Sequence, residues 1–308
     1  MKSIVVLFPY FGKLPVQYKM WRESALRNPT VDFMFFTDTD VEPAKNIIVY
    51  KMKFEEFRQY IQDVIEFPIV LDRPYILCDF KPVYGEALQK YISKYDFWGY
   101  GDLDVVYGDF RAFFTEDILT NYKFFLGYGH LTLYHNDEKT NAYYKVIVPD
   151  YQDYREALTI HKQTFFDEYG HKGTADKWKE CRTEDCFLDW QFDNVSQPKK
   201  SYHMNSLTRG WKQILFEHQD SKLFMLRIHQ GKLEKKESLY AHFQHRPFMK
   251  DKVRNYDHFL ITPGSIIDFP KYFTMEILSF YSRRRPLMTK YYQWKDRFIW
   301  KIGKGNIR

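Results

Sequence analysis

The stretch Tyr95-Asp96-Phe97-Trp98-Gly99-Tyr100-Gly101-Asp102-Leu103-Asp104-Val105-Val106-Tyr107-Gly108-Asp109 constrains the chain more than any other. An apolar, aromatic strand runs directly into two carboxylates. Side chains alternate across an extended segment, so Asp102 and Asp104 point to one side while Leu103 turns the other way into the core. Two carboxylates about 7 Å apart can grip one hard divalent cation, with phosphate oxygens and water completing its shell. Without a cation, like charges would sit close together at the strand end. Gly99 and Gly101 leave room for something to approach the backbone closely. Asp-x-Asp by itself also fits a solvated turn; its place after a buried strand favours a metal–diphosphate site.

The residues before that stretch alternate strand and helix patterns. Ser3 to Phe8 reads as a buried strand, Pro15 to Arg27 as a helix with proline suited to its first turn and Asn28-Pro29 closing it, and Val31 to Thr37 as the next strand. Asn46 to Tyr50 reads as a third strand. Phe54 to Ile65 reads as an amphipathic helix with Phe57 and Ile61 on one face, and Pro82 to Tyr95 as another helix. This order predicts an α/β, Rossmann-like fold with a mostly parallel central sheet covered on both faces. Ligands in such sheets sit beyond the strand carboxyl ends. Pro9 to Lys13, Asp38 to Asp40 and Asp102 to Asp104 should share that edge.

Further along, Lys123 to Tyr134 carries two short strand-like runs broken by Gly127-Tyr128-Gly129. Periodicity weakens from 136 to 200, where helices and loops of a substrate-facing insertion are expected. Lys222 to Ile228 and Gly231 to Leu239 read as a hairpin. The segment from Tyr240 to Arg246 concentrates metal- and phosphate-compatible groups in His242, Gln244, His245 and Arg246, although structural histidines are common. If the segment is extended, His242 and His245 face opposite sides. Asp79 and Lys81 would share a side by the same alternation, just before a helix start, where a nucleotide or sugar group can bind; a helix cap beside a surface lysine is the other reading. Asp167 with Glu168, and Glu184 with Asp185, are adjacent acids able to bind an acceptor hydroxyl or act as a general base. No nucleophile elbow, phosphate-binding P-loop or dinucleotide-binding glycine pattern is present.

With 308 residues, 44% of them hydrophobic, the chain can form one large α/β domain or two small ones. The opening apolar run is too short for a signal peptide, and no segment has the ~18 apolar residues of a membrane span. Three cysteines without zinc-like spacing agree with a reducing compartment. From Arg283 to Arg308 nine basic residues face one acid, a net of +8 that leaves −2 for the rest of the +6 chain. Within that tail Tyr291, Trp294, Phe298 and Ile302 recur at helical spacing among Lys and Arg, as in helices lying on an anionic membrane surface. A helix packed on the domain is the main alternative, and nucleic acid is not the expected partner. The expected location is cytoplasmic, peripheral at the inner face of the cell membrane.

The ordered set Leu7-Phe8-Pro9-Tyr10-Phe11-Gly12, Phe35-Phe36-Thr37-Asp38, Cys78-Asp79-Phe80-Lys81-Pro82, Phe97 to Asp104, Gly129-His130-Leu131-Thr132-Leu133-Tyr134, Phe166-Asp167-Glu168 and His242-Phe243-Gln244-His245-Arg246 resembles bacterial glycosyltransferases of polysaccharide-biosynthesis clusters. In particular it resembles the DUF6625 family, with a GT-A fold over roughly residues 1–250 and a C-terminal helical extension over 251–308. The resemblance implies a hexosyltransferase that moves a sugar from a nucleotide-sugar, a UDP-sugar above all, to a glycan or lipid-linked acceptor in surface polysaccharide synthesis; a metal-dependent phosphohydrolase using the same acids and a non-catalytic carbohydrate- or membrane-binding protein are the alternatives. It implies that Asp102 and Asp104 hold Mn²⁺ or Mg²⁺ on the donor diphosphate, with His242, or alternatively His245, completing the shell. It places Pro9, Tyr10, Gly12 and Asp38 at the base and ribose, and Asp79, Lys81, Gly129 and His130 near the donor. Asp167 and Glu168, then Glu184 and Asp185, are the candidates for base or acceptor binding.

Overall fold

β-Branched and aromatic residues without polar interruption, as in Ile4-Val5-Val6-Leu7-Phe8, suit strands buried on both faces, and all five are buried. A computed structural model describes residues 1–188, 192–195, 214–243, 250–283 and Trp294. The chain divides into two compact units, each assembled from separated stretches. Residues 1–14, 28–102 and 114–190 form the first; residues 15–27, 103–113 and 191–308 form the second. His245, the alternative to His242 as a ligand, and residues 284–308 other than Trp294, which hold nearly all of the basic tail, lie outside the described residues.

In the first unit the strands are β1 (Ile4–Pro9), β2 (Val31–Thr37), β3 (Ile47–Lys51), β4 (Phe97–Gly101), β6 (Phe124–Tyr128), β7 (Leu131–His135) and β8 (Cys186–Phe187). They form one sheet in the order β3-β2-β1-β4-β7-β6-β8. The first four are mutually parallel, as long connections through helices allow. The expectation of a mostly parallel sheet needs correction here. β7 pairs antiparallel with both β4 and β6, because the Gly129-His130 turn folds the chain straight back. Leu126 and Gly127 take left-handed backbone within β6, with φ of 73° and 79°, where its register against β7 shifts. The fold is mixed α/β.

The helix Phe54–Gln62 buries Phe57 and Ile61 against this sheet and carries Glu55 and Glu56 in its first turn, where the helix dipole favours them. The helix expected from Pro82 to Tyr95 instead runs as short turns between Pro74 and Ile92, with Pro82 inside a 3-10 segment that removes an amide donor. Gly99 has no room to spare for a ligand. A Cβ there would stand 2.2 Å from the Thr132 carbonyl oxygen, so the glycine is required by the neighbouring strand β7.

In the second unit β5 (Val105–Tyr107), β9 (Asp193–Val195) and β13 (Tyr240–Phe243) form a three-stranded sheet in the order β5-β13-β9. The strands β10 (Leu215–Gln219), β11 (Lys222–His229), β12 (Lys232–Ser238), β14 (Lys250–Lys252), β15 (His258–Thr262) and β16 (Ser265–Asp268) form a six-stranded sheet, antiparallel except between β14 and β16. The hairpin expected near 222–239 is present, closed by Gln230 and Gly231 with φ of 49° and 73°, both in the left-handed region that two-residue hairpin turns require. Residues 250–268, read from sequence as opening a helical extension, are strands: His258-Phe259-Leu260-Ile261-Thr262 is β-branched and aromatic and buries Phe259, Leu260 and Ile261. Helical structure follows at Met275–Arg283. Among the described residues no helix is long and apolar enough to cross a membrane.

Asp193 is buried in β9, where its carboxylate accepts from the Ser238 hydroxyl. Burial pushes its pKa up to about 6, with the Ser238 hydrogen bond acting in the opposite direction. A raised value means the group's contribution to stability is complete below the ordinary aspartate range near ~4 and is lost as the pH rises, a cost on the order of 3 kcal/mol. Asp193→Asn keeps an acceptor for Ser238 and cannot ionise. It should be about 2–3 kcal/mol more stable than the parent at pH 8, with the advantage vanishing near pH 4. Urea unfolding at the two pH values checks this, and an identical pH dependence for both proteins would contradict it.

Candidate metal centre

Parallel pairing of β1, β2 and β4 sets their carboxyl ends along one edge of the first sheet, so Pro9, Asp38 and Asp102 all leave the sheet there. The loops after β1 and β2 are tied to each other. The Gly12 amide donates to Asp38 Oδ1 at 3.3 Å, the Thr39 hydroxyl donates to the Gly12 carbonyl, and Gly12 takes a φ of 109° that favours glycine. Tyr10 closes the same loop by donating its hydroxyl to the Lys13 carbonyl at 2.7 Å. Asp40 points outward and pairs with Lys51, so Asp38-x-Asp40 does not form a second acidic pair like that of 102 and 104.

Beyond β4 the backbone turns, Leu103 enters the core and the two aspartates stay partly exposed. Asp102 is fixed from within the first unit. Its amide donates to the His130 carbonyl at 3.3 Å, and its Oδ1 accepts from Lys81 Nζ at 2.9 Å. Lys81 also donates to the Gly129 carbonyl at 2.8 Å and stands 3.9 Å from Asp167 Oδ2. Burial alone would lower the Lys81 pKa, but the Asp102 and Asp167 carboxylates outweigh it and hold the ammonium well above its usual range. Lys81 is therefore a permanent cation.

Asp167 is 1% exposed, and neither of its carboxylate oxygens has a hydrogen-bond partner among the described residues. Burial raises its pKa well above the carboxylate range; Lys81 opposes that shift, while Glu168, Asp79 and Asp102 add to it. Asp167 and Glu168 abut the backbone of Gly129, where a Cβ would meet Glu168 Oε1 at 2.3 Å and Asp167 Oδ2 at 3.1 Å. His130 stacks on Tyr128 with ring centroids 5.1 Å apart.

Asp79 does not share a side with Lys81, because residues 77–83 are helical rather than extended. Its fully buried carboxylate accepts from the amides of Thr164 at 2.8 Å and Phe166 at 2.9 Å, which places the loop carrying Asp167. Glu184 and Asp185 both turn to Arg182. They precede β8, three strand spacings or roughly 14 Å across the sheet from β4.

Asp104 begins the approach to β5, and its carbonyl accepts from the Phe243 amide at 2.8 Å, which clamps it beside β13. On that strand His242 is 6% exposed and sets Nε2 3.3 Å from Asp104 Oδ1. The stretch 102–104 thus brings a carboxylate on either side of Leu103 toward one imidazole. Asp102, Asp104 and His242 offer ligand atoms that all lie within 4.8 Å of one another, the one such group among the described residues. Ligands bound to one divalent ion at about 2.0–2.6 Å lie at most ~5 Å apart, so the spacing fits a shared cation. Two carboxylates with one imidazole suit Mn²⁺, which accepts oxygen and nitrogen donors, better than Mg²⁺, which favours oxygen.

Residues 6–270 match the family of unknown function DUF6625. The chain belongs to that family. A search of curated proteins returned no match. In this DUF6625 member the structure brings together both aspartates and His242, which the sequence offered as ligand types, and adds beside them Asn194, whose Oδ1 lies 3.2 Å from His242 Nδ1. Its signal is the cross-strand register that sets Asn194 opposite His242, and register between β9 and β13 is written in no local pattern.

Proposed function

We propose that this DUF6625 chain is a metal-dependent glycosyltransferase of GT-A type that moves a sugar from a nucleotide-sugar to a glycan or lipid-linked acceptor. The observation that carries the reading is the Asp102-x-Asp104 pair at the carboxyl end of β4 with Asp104 facing His242, on the edge where the loops bearing Pro9 to Gly12 and Asp38 also emerge. Open α/β sheets bind nucleotides at such an edge.

Asp102, Asp104 and His242 would hold Mn²⁺, which when bound supplies positive charge against the diphosphate that departs as the sugar–oxygen bond breaks. Lys81, fixed by the Gly129 carbonyl and Asp102, adds a second positive charge beside that position without needing to be recruited. Asp167, whose burial makes its carboxyl harder to ionise while Lys81 opposes that shift, is placed to bind a sugar hydroxyl, and Glu168 beside it is the candidate for drawing the proton from the acceptor. The basic tail is proposed to bring the enzyme to an anionic membrane surface carrying a lipid-linked acceptor.

The test is a thermal-shift panel of nucleoside diphosphates and nucleotide-sugars, each with Mn²⁺ or with EDTA. At 100-fold excess over Kd, binding to the folded state stabilises by about 2.7 kcal/mol. A rise in melting temperature with one nucleotide and Mn²⁺, abolished by EDTA, is the expected result. Absence of any nucleotide shift, or release of inorganic phosphate without sugar transfer, would overturn the reading.

A further inference from the structure

An imidazole ligates a metal through one nitrogen only, and the other nitrogen must then carry the proton. Which nitrogen is which depends on what the ring's far side meets. In the three-stranded sheet β13 lies between β5 and β9, with Val105 and Asn194 opposite His242 on either flank. The ring spans this row. Nε2 looks toward Asp104 Oδ1 at 3.3 Å, and Nδ1 toward Asn194 Oδ1 at 3.2 Å. An amide oxygen can only accept, so it takes a proton from Nδ1; once a cation stands between Nε2 and the aspartates, Nε2 has only its lone pair to offer there.

We propose that Asn194 is a positioning residue that holds His242 in its Nδ1–H tautomer and so presents Nε2 to a divalent cation shared with Asp102 and Asp104. This rests on the metal-dependent reading above. The register fixes the geometry: Asp193, immediately before Asn194, is anchored by the Ser238 hydroxyl, and β9 runs parallel to β13 with Ala241 opposite Asp193 and Phe243 opposite Val195. An amide also orients the ring without adding charge, which leaves the ligand set with two negative charges. A carboxylate at position 194 would orient it equally and add a third.

The test uses the full chain and Mn²⁺ alone, followed by electron paramagnetic resonance, with the His242 ring nitrogens read by ¹⁵N NMR on protein loaded with diamagnetic Cd²⁺ in place of Mn²⁺. Asn194→Ala should weaken Mn²⁺ binding about 10- to 100-fold, the usual cost of losing a partner behind a metal-bound histidine. Asn194→Asp, which keeps the acceptor, should restore binding, and in the Cd²⁺-loaded parent His242 should show a proton on Nδ1 and a metal-bound Nε2. A bare Nδ1 in the Cd²⁺-loaded parent would overturn the proposal however the variants fold. So would parent-like Mn²⁺ binding by Asn194→Ala while Asp104→Ala loses it, which would leave the metal-dependent reading intact. A parent protein that binds no Mn²⁺ would remove both.

Discussion

Asp104→Ala should abolish Mn²⁺-dependent nucleotide binding while leaving the fold in place. The carboxylate faces His242 Nε2 at 3.3 Å and is a proposed ligand, so its loss would remove a direct donor and the partner of a nearly buried imidazole. Removing a residue that merely supports a metal ligand costs 10- to 100-fold in affinity, so losing the ligand itself should cost at least about 100-fold. The backbone contribution survives, because Phe243 donates to the Asp104 carbonyl and not to its side chain. Calorimetric titration of the variant with Mn²⁺ and a nucleoside diphosphate should therefore give no heat of binding from a protein that still melts cooperatively. Binding and turnover at the parent level would show that the acidic pair serves another purpose.

Lys81→Met should have the largest effect on stability. Among the described residues the ammonium is the one cation paired with the buried Asp167 carboxylate, whose two oxygens have no hydrogen-bond partner there, and it is shared between Asp102 and Asp167. Breaking a buried pair costs about 3–5 kcal/mol; the partial exposure of Asp102 and the protonation open to Asp167 reduce the expected loss to about 2–3 kcal/mol at pH 8. The sign of its pH dependence follows from Asp167. Its folded pKa is raised, so its contribution is complete at acid pH and is lost as the pH climbs through the raised value. Lys81 limits that loss by stabilising the ionised form. The gap between parent and variant should widen from pH 5 to pH 8, as read by urea unfolding, whereas a gap independent of pH would mean that Lys81 acts through packing alone.

Local pattern was enough to place the parts that lie next to each other along the chain. The β-branched and aromatic runs at 4–8 and 31–37, the glycine-broken pair at 124–134 and the hairpin at 222–239 appear as strands, because alternation and turn chemistry are decided within a few residues. The shared edge of Pro9, Asp38 and Asp102 followed from the parallel register of β1, β2 and β4. Strand order was not legible. Nothing local tells β7 to insert antiparallel between β4 and β6, and Gly99, read as space for a ligand, is instead occupied by the approach of Thr132 on that strand. Asp79 shows the same limit. Alternation put it beside Lys81, whereas helical backbone at 77–83 turns it inward onto the amides of Thr164 and Phe166, more than eighty residues away in sequence. His242 could be picked as a ligand type, but its partner Asn194 depends on pairing between strands that no sequence period encodes.

The most direct measurement is the anomalous scattering of manganese in crystals of the full chain grown with Mn²⁺ and a nucleoside diphosphate. The account predicts a single strong peak about 2.0–2.6 Å from carboxylate oxygens of Asp102 and Asp104 and from His242 Nε2, with diphosphate oxygens completing the shell. A manganese peak on other residues, or a bound nucleotide with no metal between it and the two aspartates, would contradict it.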